Sequence, residues 1–239
     1  MKRPTSEQIH ALFSNQVGAY AIATPININA VIAFCVSRKP KRVLELGGGI
    51  GTLTYCVLNY SEAVVEVYEE NAFCKEKLMQ NLNSWPDRVV IKESYVQVPN
   101  FADYDLVVID GPDPETIKER DSLTSQVLGG LRNVGSFFIE GSRYSQRRLA
   151  QNKMADISLY FLERVRGKEV AGLGLMKGGL FVHKARYSPK PVRYLCHLFW
   201  LATDLFDFMD PRRRKKIKMR LRNPLQTIVR FFRTFGNDA

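Results

Sequence analysis

The stretch RVLELGGGIGTLTYCVL, Arg42 to Leu58, constrains the fold most strongly. It places four glycines between an apolar, strand-like run and a helical run. Glycine adopts backbone dihedrals that other residues avoid, and it leaves room for a ligand against the main chain. In a sheet whose strands alternate with helices, ligands bind where the carboxyl end of a strand turns into its helix. The stretch therefore predicts an α/β fold with a binding site at the turn that begins at Gly47.

The rest of the chain alternates in the same way. Short apolar runs rich in β-branched and aromatic residues predict five strands: Arg42–Leu46, Ala63–Tyr68, Arg88–Lys92, Asp105–Ile109 and Ser136–Ile139. Helical segments lie between them, at residues 71–83 and 124–133. Two later runs, at 158–165 and 178–185, predict a hairpin that closes the sheet. This order predicts a mostly parallel, doubly wound sheet of seven strands with helices on both faces.

Two short helices are predicted ahead of the first strand. Thr5 can cap the first helix, since Gln8 stands three residues later and an apolar stripe follows. The second helix begins at Thr24-Pro25, where the missing donor of proline costs nothing, and it ends at Pro40. The chain thus divides into N-terminal helices at 1–40, a ligand-binding domain at 41–186 and an extension at 187–239.

Composition excludes several classes of protein. No window approaches a run of about 18 apolar residues, which a membrane-spanning helix needs, and the start lacks the apolar core of a secretory signal. The four cysteines have no paired spacing typical of zinc or of a redox dithiol. We therefore expect a cytoplasmic protein with reduced cysteines and no cysteine metal site.

The spacing of the glycines distinguishes between two ligands. A dinucleotide fingerprint needs a third glycine at the position that Thr52 occupies, so it fits poorly. What remains is an acid followed by alternate glycines: Glu45, Gly47, Gly49 and Gly51. This pattern resembles the first motif of the class I S-adenosylmethionine-dependent methyltransferases, which have a Rossmann-like fold. The resemblance implies that the glycine loop lies beside the methionine portion and ribose of the cofactor, and that Glu45 helps to anchor the loop and the methionine amino group.

Three further segments resemble the same family. The family has an acid at the end of the second strand that accepts hydrogen bonds from both ribose hydroxyls. The matching position here is Glu69, with Glu66 and Glu70 as alternatives if the register differs by a residue or so. We retain Glu69 and Glu70 as the candidates for cofactor binding. The segment YDLVVIDGPDP resembles the fourth motif, in which Asp110 points into the cleft. The segment NVGSFFIEGSR resembles the fifth strand and ends in Glu140.

Asp110 is the predicted catalytic residue, because a hydroxyl acceptor must lose its proton to a positioned base or to a metal. Asp110 and Glu140 also resemble the acid pair of the metal-dependent catechol-type members. Those members have Asp followed by Asn, whereas Gly141 follows Glu140 here, so a divalent cation fits less well and we assign no metal ligand. The chain lacks the DPPY-like tetrad of amino-methylating nucleic-acid enzymes, which favours oxygen as the acceptor atom.

The net charge of +11 is concentrated in the extension. Residues 187–239 carry twelve Lys or Arg against four Asp, and the basic run RRRKKIKMRLR is followed by apolar residues at helical spacing. Three hypotheses remain open: the extension packs on the domain, binds an anionic membrane surface as a peripheral anchor, or binds nucleic acid. The sequence as a whole predicts an S-adenosylmethionine-dependent methyltransferase of a small molecule or glycan hydroxyl. The alternatives are a non-catalytic binding protein of the same fold and an RNA methyltransferase.

Overall fold

The computed structural model describes residues 3–19, 22–93, 100–111, 135–141, 160–164, 179–184 and 191. The chain divides into two compact units, 1–193 and 194–239, and all described residues lie in the first. The predicted helix at 124–133 and the predicted features of the extension at 187–239 lie outside the described part, apart from Pro191. No helix in the described part is both long and apolar enough to cross a membrane.

After the first two helices, strands and helices alternate up to the fourth helix, and the remaining described elements are five strands and two 3-10 turns. The helices are α1 Ser6–Ser14, α2 Pro25–Arg38, α3 Thr52–Tyr60 and α4 Ala72–Asn81, with 3-10 turns at Pro86–Arg88 and Phe101–Asp103. The strands are β1 Arg42–Leu46, β2 Val64–Tyr68, β3 Val89–Lys92, β4 Leu106–Ile109, β5 Ser136–Ile139, β6 Tyr160–Arg164 and β7 Leu180–Lys184. Three predicted strands begin one residue later than expected, because Ala63, Arg88 and Asp105 lie in the connections that precede them.

The strands form one sheet in the order β3-β2-β1-β4-β5-β7-β6. The pairs β2-β3, β1-β2, β1-β4 and β4-β5 are parallel, whereas β7 runs antiparallel to both β5 and β6. The predicted hairpin of the last two strands is confirmed by their antiparallel pairing. Since the strand order reverses between β1 and β4, the carboxyl ends of these two strands form the crevice in which such sheets bind ligands.

Local sequence signals account for both N-terminal helices. Thr5 accepts a hydrogen bond from the Gln8 amide at 3.3 Å, and the Gln8 side chain accepts one from the Thr5 amide at 2.8 Å. This capping box confirms the predicted start of α1. Pro25 occupies the first turn of α2, and the helix ends at Arg38 because Lys39 adopts a left-handed conformation with φ of 48°.

Helices α1 to α4 pack against one face of the sheet. On that face the core joins helix residues such as Ile9, Phe13 and Leu78 to strand residues Val43, Val65, Val67, Val108 and Phe138. The alternate strand residues point to the other face and are also fully buried: Leu44, Leu46, Val107, Ile109, Phe137 and Ile139. The sheet is therefore covered on both faces, as the continuous apolar strands predict. The edge formed by the carboxyl ends of the strands is where polar side chains enter.

Candidate cofactor site

The glycine loop joins β1 to α3 at the carboxyl edge of the sheet. Gly47, Gly49 and Gly51 have φ of 92°, 52° and 96°, which is the region that favours glycine. The amides of Gly47 and Gly48 both donate to the Tyr68 carbonyl oxygen, at 2.9 and 3.1 Å. The loop is thereby tied to the end of β2, and Gly51 becomes the N-cap residue of α3.

The surroundings of three loop glycines differ. A Cβ atom at Gly47 would lie 2.4 Å from the Gly111 amide nitrogen, and one at Gly48 would lie 2.3 Å from Cγ1 of Val67. A Cβ atom at Gly49 would meet none of the described residues within 4 Å. Gly47 and Gly48 are thus required by the protein's own packing, whereas the backbone at Gly49 faces open space. The sequence did not single out Gly48, whose requirement comes from a tertiary contact.

The three acids at the end of β2 occupy different environments. Glu69 is buried, and its Oε2 accepts the Gly49 amide at 2.7 Å while its Oε1 accepts the Asn71 amide at 2.8 Å. Glu66 instead accepts the hydroxyl groups of Tyr68 at 3.1 Å and Tyr104 at 2.9 Å. Glu70 is exposed. Among the three candidates, the structure therefore brings Glu69 to the glycine loop, and its role toward a ribose stays a prediction.

Glu45 lies under α3, on the face of the sheet against which α1 to α4 pack. Its side chain is 1% exposed, and Oε2 accepts a hydrogen bond from the Thr54 hydroxyl. Oε1 is buried and has no hydrogen-bond partner in the described part of the chain. Burial raises the pKa of Glu45 to about 8; the Thr54 hydrogen bond opposes this shift and the nearby Glu69 charge adds to it. Glu45 is thus a carboxyl group short of donors at the start of the loop.

The predicted base, Asp110, lies half-buried at the end of β4. Its amide donates to the Leu46 carbonyl at 2.9 Å, so its backbone continues the ladder between β4 and β1. Glu140 follows β5 in the same way, since its amide donates to the Ile109 carbonyl at 3.0 Å. The two acids therefore end neighbouring strands. Residues 3–19, 22–93, 100–111 and the shorter described segments hold no group of three or more acidic, histidine or cysteine side chains that could bind a metal ion.

A buried polar pair that the sequence did not predict adjoins Asp110. The Asn27 amide, in the first turn of α2, donates to Oε1 of Glu140 at 2.6 Å, and both side chains are buried. The available signal was an asparagine inside the apolar helix PININAVIAF, because a buried amide needs a partner. The pair ties the N-terminal helices to the carboxyl edge of the sheet.

The predicted residues therefore separate into two groups. The structure places the candidates of the strand-to-helix turn and of the two neighbouring strand ends at one edge of the sheet: Glu45, Gly47, Gly49, Gly51, Glu69 and Asp110. Glu70 points to solvent beside this group.

Comparison with known proteins gives a result at the level of the fold. No protein-family model matches the sequence. No curated protein matches it either. Solved structures do match. An O-methyltransferase from Bacillus cereus in complex with S-adenosylhomocysteine is 13% identical, with a TM-score of 0.56 over 75% of this chain and 90% of that chain.

Two other solved structures extend this comparison. The O-methyltransferase of tomaymycin synthesis from Streptomyces achromogenes, in complex with S-adenosylmethionine, is 13% identical, with a TM-score of 0.52 over 75% of this chain and 87% of that chain. A protein from Pyrococcus horikoshii named as a candidate RNA methyltransferase is 14% identical, with a TM-score of 0.54 over 74% of this chain and 98% of that chain. The chain therefore has the Rossmann-like fold of the S-adenosylmethionine-dependent methyltransferases.

Proposed function

We propose that the chain is an S-adenosylmethionine-dependent methyltransferase that acts on a hydroxyl group of a small molecule. The observation that carries this proposal is the contact between Glu69 and the Gly49 amide, because it joins a buried carboxylate to a loop whose backbone faces open space. The structural likeness to O-methyltransferases supports the same activity. Asp110 at the neighbouring strand end supplies a candidate base beside the loop.

The described residues fit S-adenosylmethionine. Each oxygen of Glu69 accepts one amide hydrogen, and a carboxylate oxygen has two lone pairs, so both oxygens retain acceptor capacity for a ribose diol. The open side of Gly49 leaves room for a ligand against the main chain. Oε1 of Glu45 has no hydrogen-bond partner among the described residues, so this acid could become a carboxylate that offsets the charge of a cationic ligand. Glu45, the loop glycines and Glu69 would hold the cofactor.

The proposed chemistry asks little of the protein beyond alignment and proton removal. When bound, the cofactor supplies a methyl group on a sulfonium, which is transferred by in-line displacement. The site would have to orient the acceptor against the methyl group, since a well-aligned pair of reactants gains several kcal/mol over reaction in solution. Asp110 would take the hydroxyl proton. Glu140, oriented by Asn27, would line the acceptor side of the same edge.

Calorimetric titration with S-adenosylmethionine tests the proposal directly. We expect Glu69→Gln to weaken binding by about 10- to 100-fold, because hydrogen bonds to a charged group contribute about 1.5–3 kcal/mol. Glu62→Gln is the matched control, since Glu62 is an exposed acid at the opposite edge of the sheet. No binding by the wild-type chain would remove the proposal. An equal loss of cofactor affinity in both variants would show that Glu69 does not bind the cofactor specifically.

Catalysis needs a separate experiment, because a methyltransferase fold does not by itself establish activity. Transfer of a labelled methyl group to a panel of phenols, catechols and glycosides, with and without EDTA, measures turnover and metal dependence. Binding of S-adenosylmethionine without turnover on any acceptor of the panel would favour the non-catalytic binding protein. Unchanged turnover in EDTA would eliminate the divalent cation. Asp110→Asn should lower the rate constant of turnover more than the affinity for the cofactor.

The basic extension supports a second hypothesis, that the enzyme works at an anionic membrane surface on a lipid-linked or glycan acceptor. Its charge and its apolar residues at helical spacing are typical of interfacial segments. Sedimentation with anionic liposomes should recover the full chain with the lipid and leave a chain that ends at Pro211 in the supernatant. Equal recovery of both chains in the supernatant would remove the anchor. Salt-dependent RNA binding by the full chain would favour the RNA methyltransferase instead.

A further inference from the structure

Glu45 is a buried acid that lacks the partners an ionised carboxylate needs. The Thr54 hydroxyl is its single hydrogen-bond partner among the described residues, and Oε1 has none. An ionised carboxylate in such a place carries a large desolvation cost that one hydroxyl cannot offset. In the cofactor-free chain, the Glu45 side chain is therefore a neutral carboxylic acid at neutral pH.

The groups around Glu45 reinforce this state. The titratable side chains that face it in the described part are Glu69, from the end of β2, and Cys56, from α3. Neither can carry a positive charge, and burial and the Glu69 charge both raise the pKa of Glu45, to about 8. No cation of the described part acts on Glu45, so a positive charge brought to the glycine loop would favour its ionised form, and in a buried site that field is weakly screened.

We infer that binding of a cationic cofactor at the glycine loop expels the Glu45 proton to solvent. The inference rests on the proposed function, since S-adenosylmethionine carries a sulfonium and an ammonium group. The oxygen–hydrogen bond of the carboxylic acid breaks, its proton passes to the buffer, and the electron pair stays on Glu45. The resulting carboxylate neutralises one positive charge of the ligand, so affinity for the cofactor depends on pH through this residue.

Calorimetric titration with S-adenosylmethionine at pH 7, in buffers of different ionisation enthalpy, counts the protons released. We expect the wild-type chain to release about 0.5–1 proton more than Glu45→Gln, which has no proton to lose. The difference between the two chains is the measured quantity, because the amino group of the cofactor titrates near the same pH. Glu62→Gln, which changes a remote exposed acid, should match the wild type.

The outcomes separate the inference from the function on which it rests. Absence of S-adenosylmethionine binding overturns both. Binding with the same proton count in wild type and Glu45→Gln overturns the inference alone. If Glu45→Gln does not fold, infrared difference spectra of the wild-type chain give the same answer. Loss of a protonated carboxyl band on binding supports the proposal, and an unchanged band overturns it.

Discussion

Gly47 and Gly49 are two residues apart and both have positive φ, yet alanine should act differently at each. Gly49 faces open space, whereas a Cβ atom at Gly47 would lie 2.4 Å from the Gly111 amide nitrogen. The Gly111 backbone is fixed beside β4, so it cannot move aside as a flexible side chain could. We therefore expect Gly49→Ala to affect chiefly the ligand and Gly47→Ala to affect chiefly the fold.

The magnitudes follow from the two geometries. Gly49 has φ of 52°, where an alanine costs about 1–2 kcal/mol of strain and contacts none of the described residues. Gly47→Ala adds to similar strain an overpacking cost of about 1–3 kcal/mol, so its total loss of unfolding free energy should be about 3 kcal/mol or more. If the cofactor lies against Gly49, the new methyl group should weaken cofactor binding by at least about tenfold, which is a loss of about 1.4 kcal/mol.

Two measurements on each variant test this reasoning. Urea denaturation gives the free energy of unfolding, and calorimetric titration with S-adenosylmethionine gives the dissociation constant. Wild-type affinity in Gly49→Ala would refute the idea that the bare backbone there faces the cofactor. Equal destabilisation by the two substitutions would refute the distinction between Gly47, which packs against the Gly111 backbone, and Gly49, which does not.

Three further predictions concern stability. The pKa of the Glu45 carboxyl is about 8 in the folded chain against an ordinary value of 4.5, so the folded chain holds one more proton than the unfolded chain between these pH values. The free energy of unfolding should therefore fall by about 1 kcal/mol for each pH unit across that window. Urea denaturation at pH 5.5 and 7.5 should show a smaller fall in this free energy for Glu45→Gln than for the wild type. Thr5→Ala removes the capping box of α1 and should cost about 1 kcal/mol in thermal unfolding, with wild-type stability as the contrary result. Arg88 donates to the carbonyls of Leu58, Ser61 and Ala63, so Arg88→Met should cost about 2 kcal/mol without changing cofactor affinity, and a changed affinity would contradict its placement away from the loop.

The features that the sequence predicted are those fixed by local chemistry. The Thr5 capping box, the Pro25 helix start and β1 each depend on residues within a few positions of one another, and each was found where it was expected. The glycine pattern at Gly47 and Gly49 could also be read locally, because positive φ is a property of single residues. The first residues of the strands were predicted less well, because the last residue before a strand and the first residue in it are often of similar types.

The features that the sequence could not give depend on contacts between distant segments. Glu69 could not be separated from its neighbours, because the position at which β2 ends, and hence which acid meets the loop, depends on pairing with other strands. Asn27 and Glu140 are 113 positions apart, and no pattern within either segment relates them. The need for Gly48 likewise comes from Val67 on another strand.

The candidate site is a consequence of strand register rather than of any single motif. Leu46 pairs with Tyr68 on one side and with Ile109 on the other, which brings Gly47 level with Glu69 and with Asp110. Pairing of Ile109 with Ile139 then sets Glu140 beside Asp110. Because side chains alternate between the faces of a sheet, a slip of one residue in β2 would replace Glu69 with Tyr68 or Glu70 and move the apolar side chains of β2 to the wrong face. The residues that maintain the register, such as Val65 and Val67 in the core, therefore help to hold the acids of the site in place.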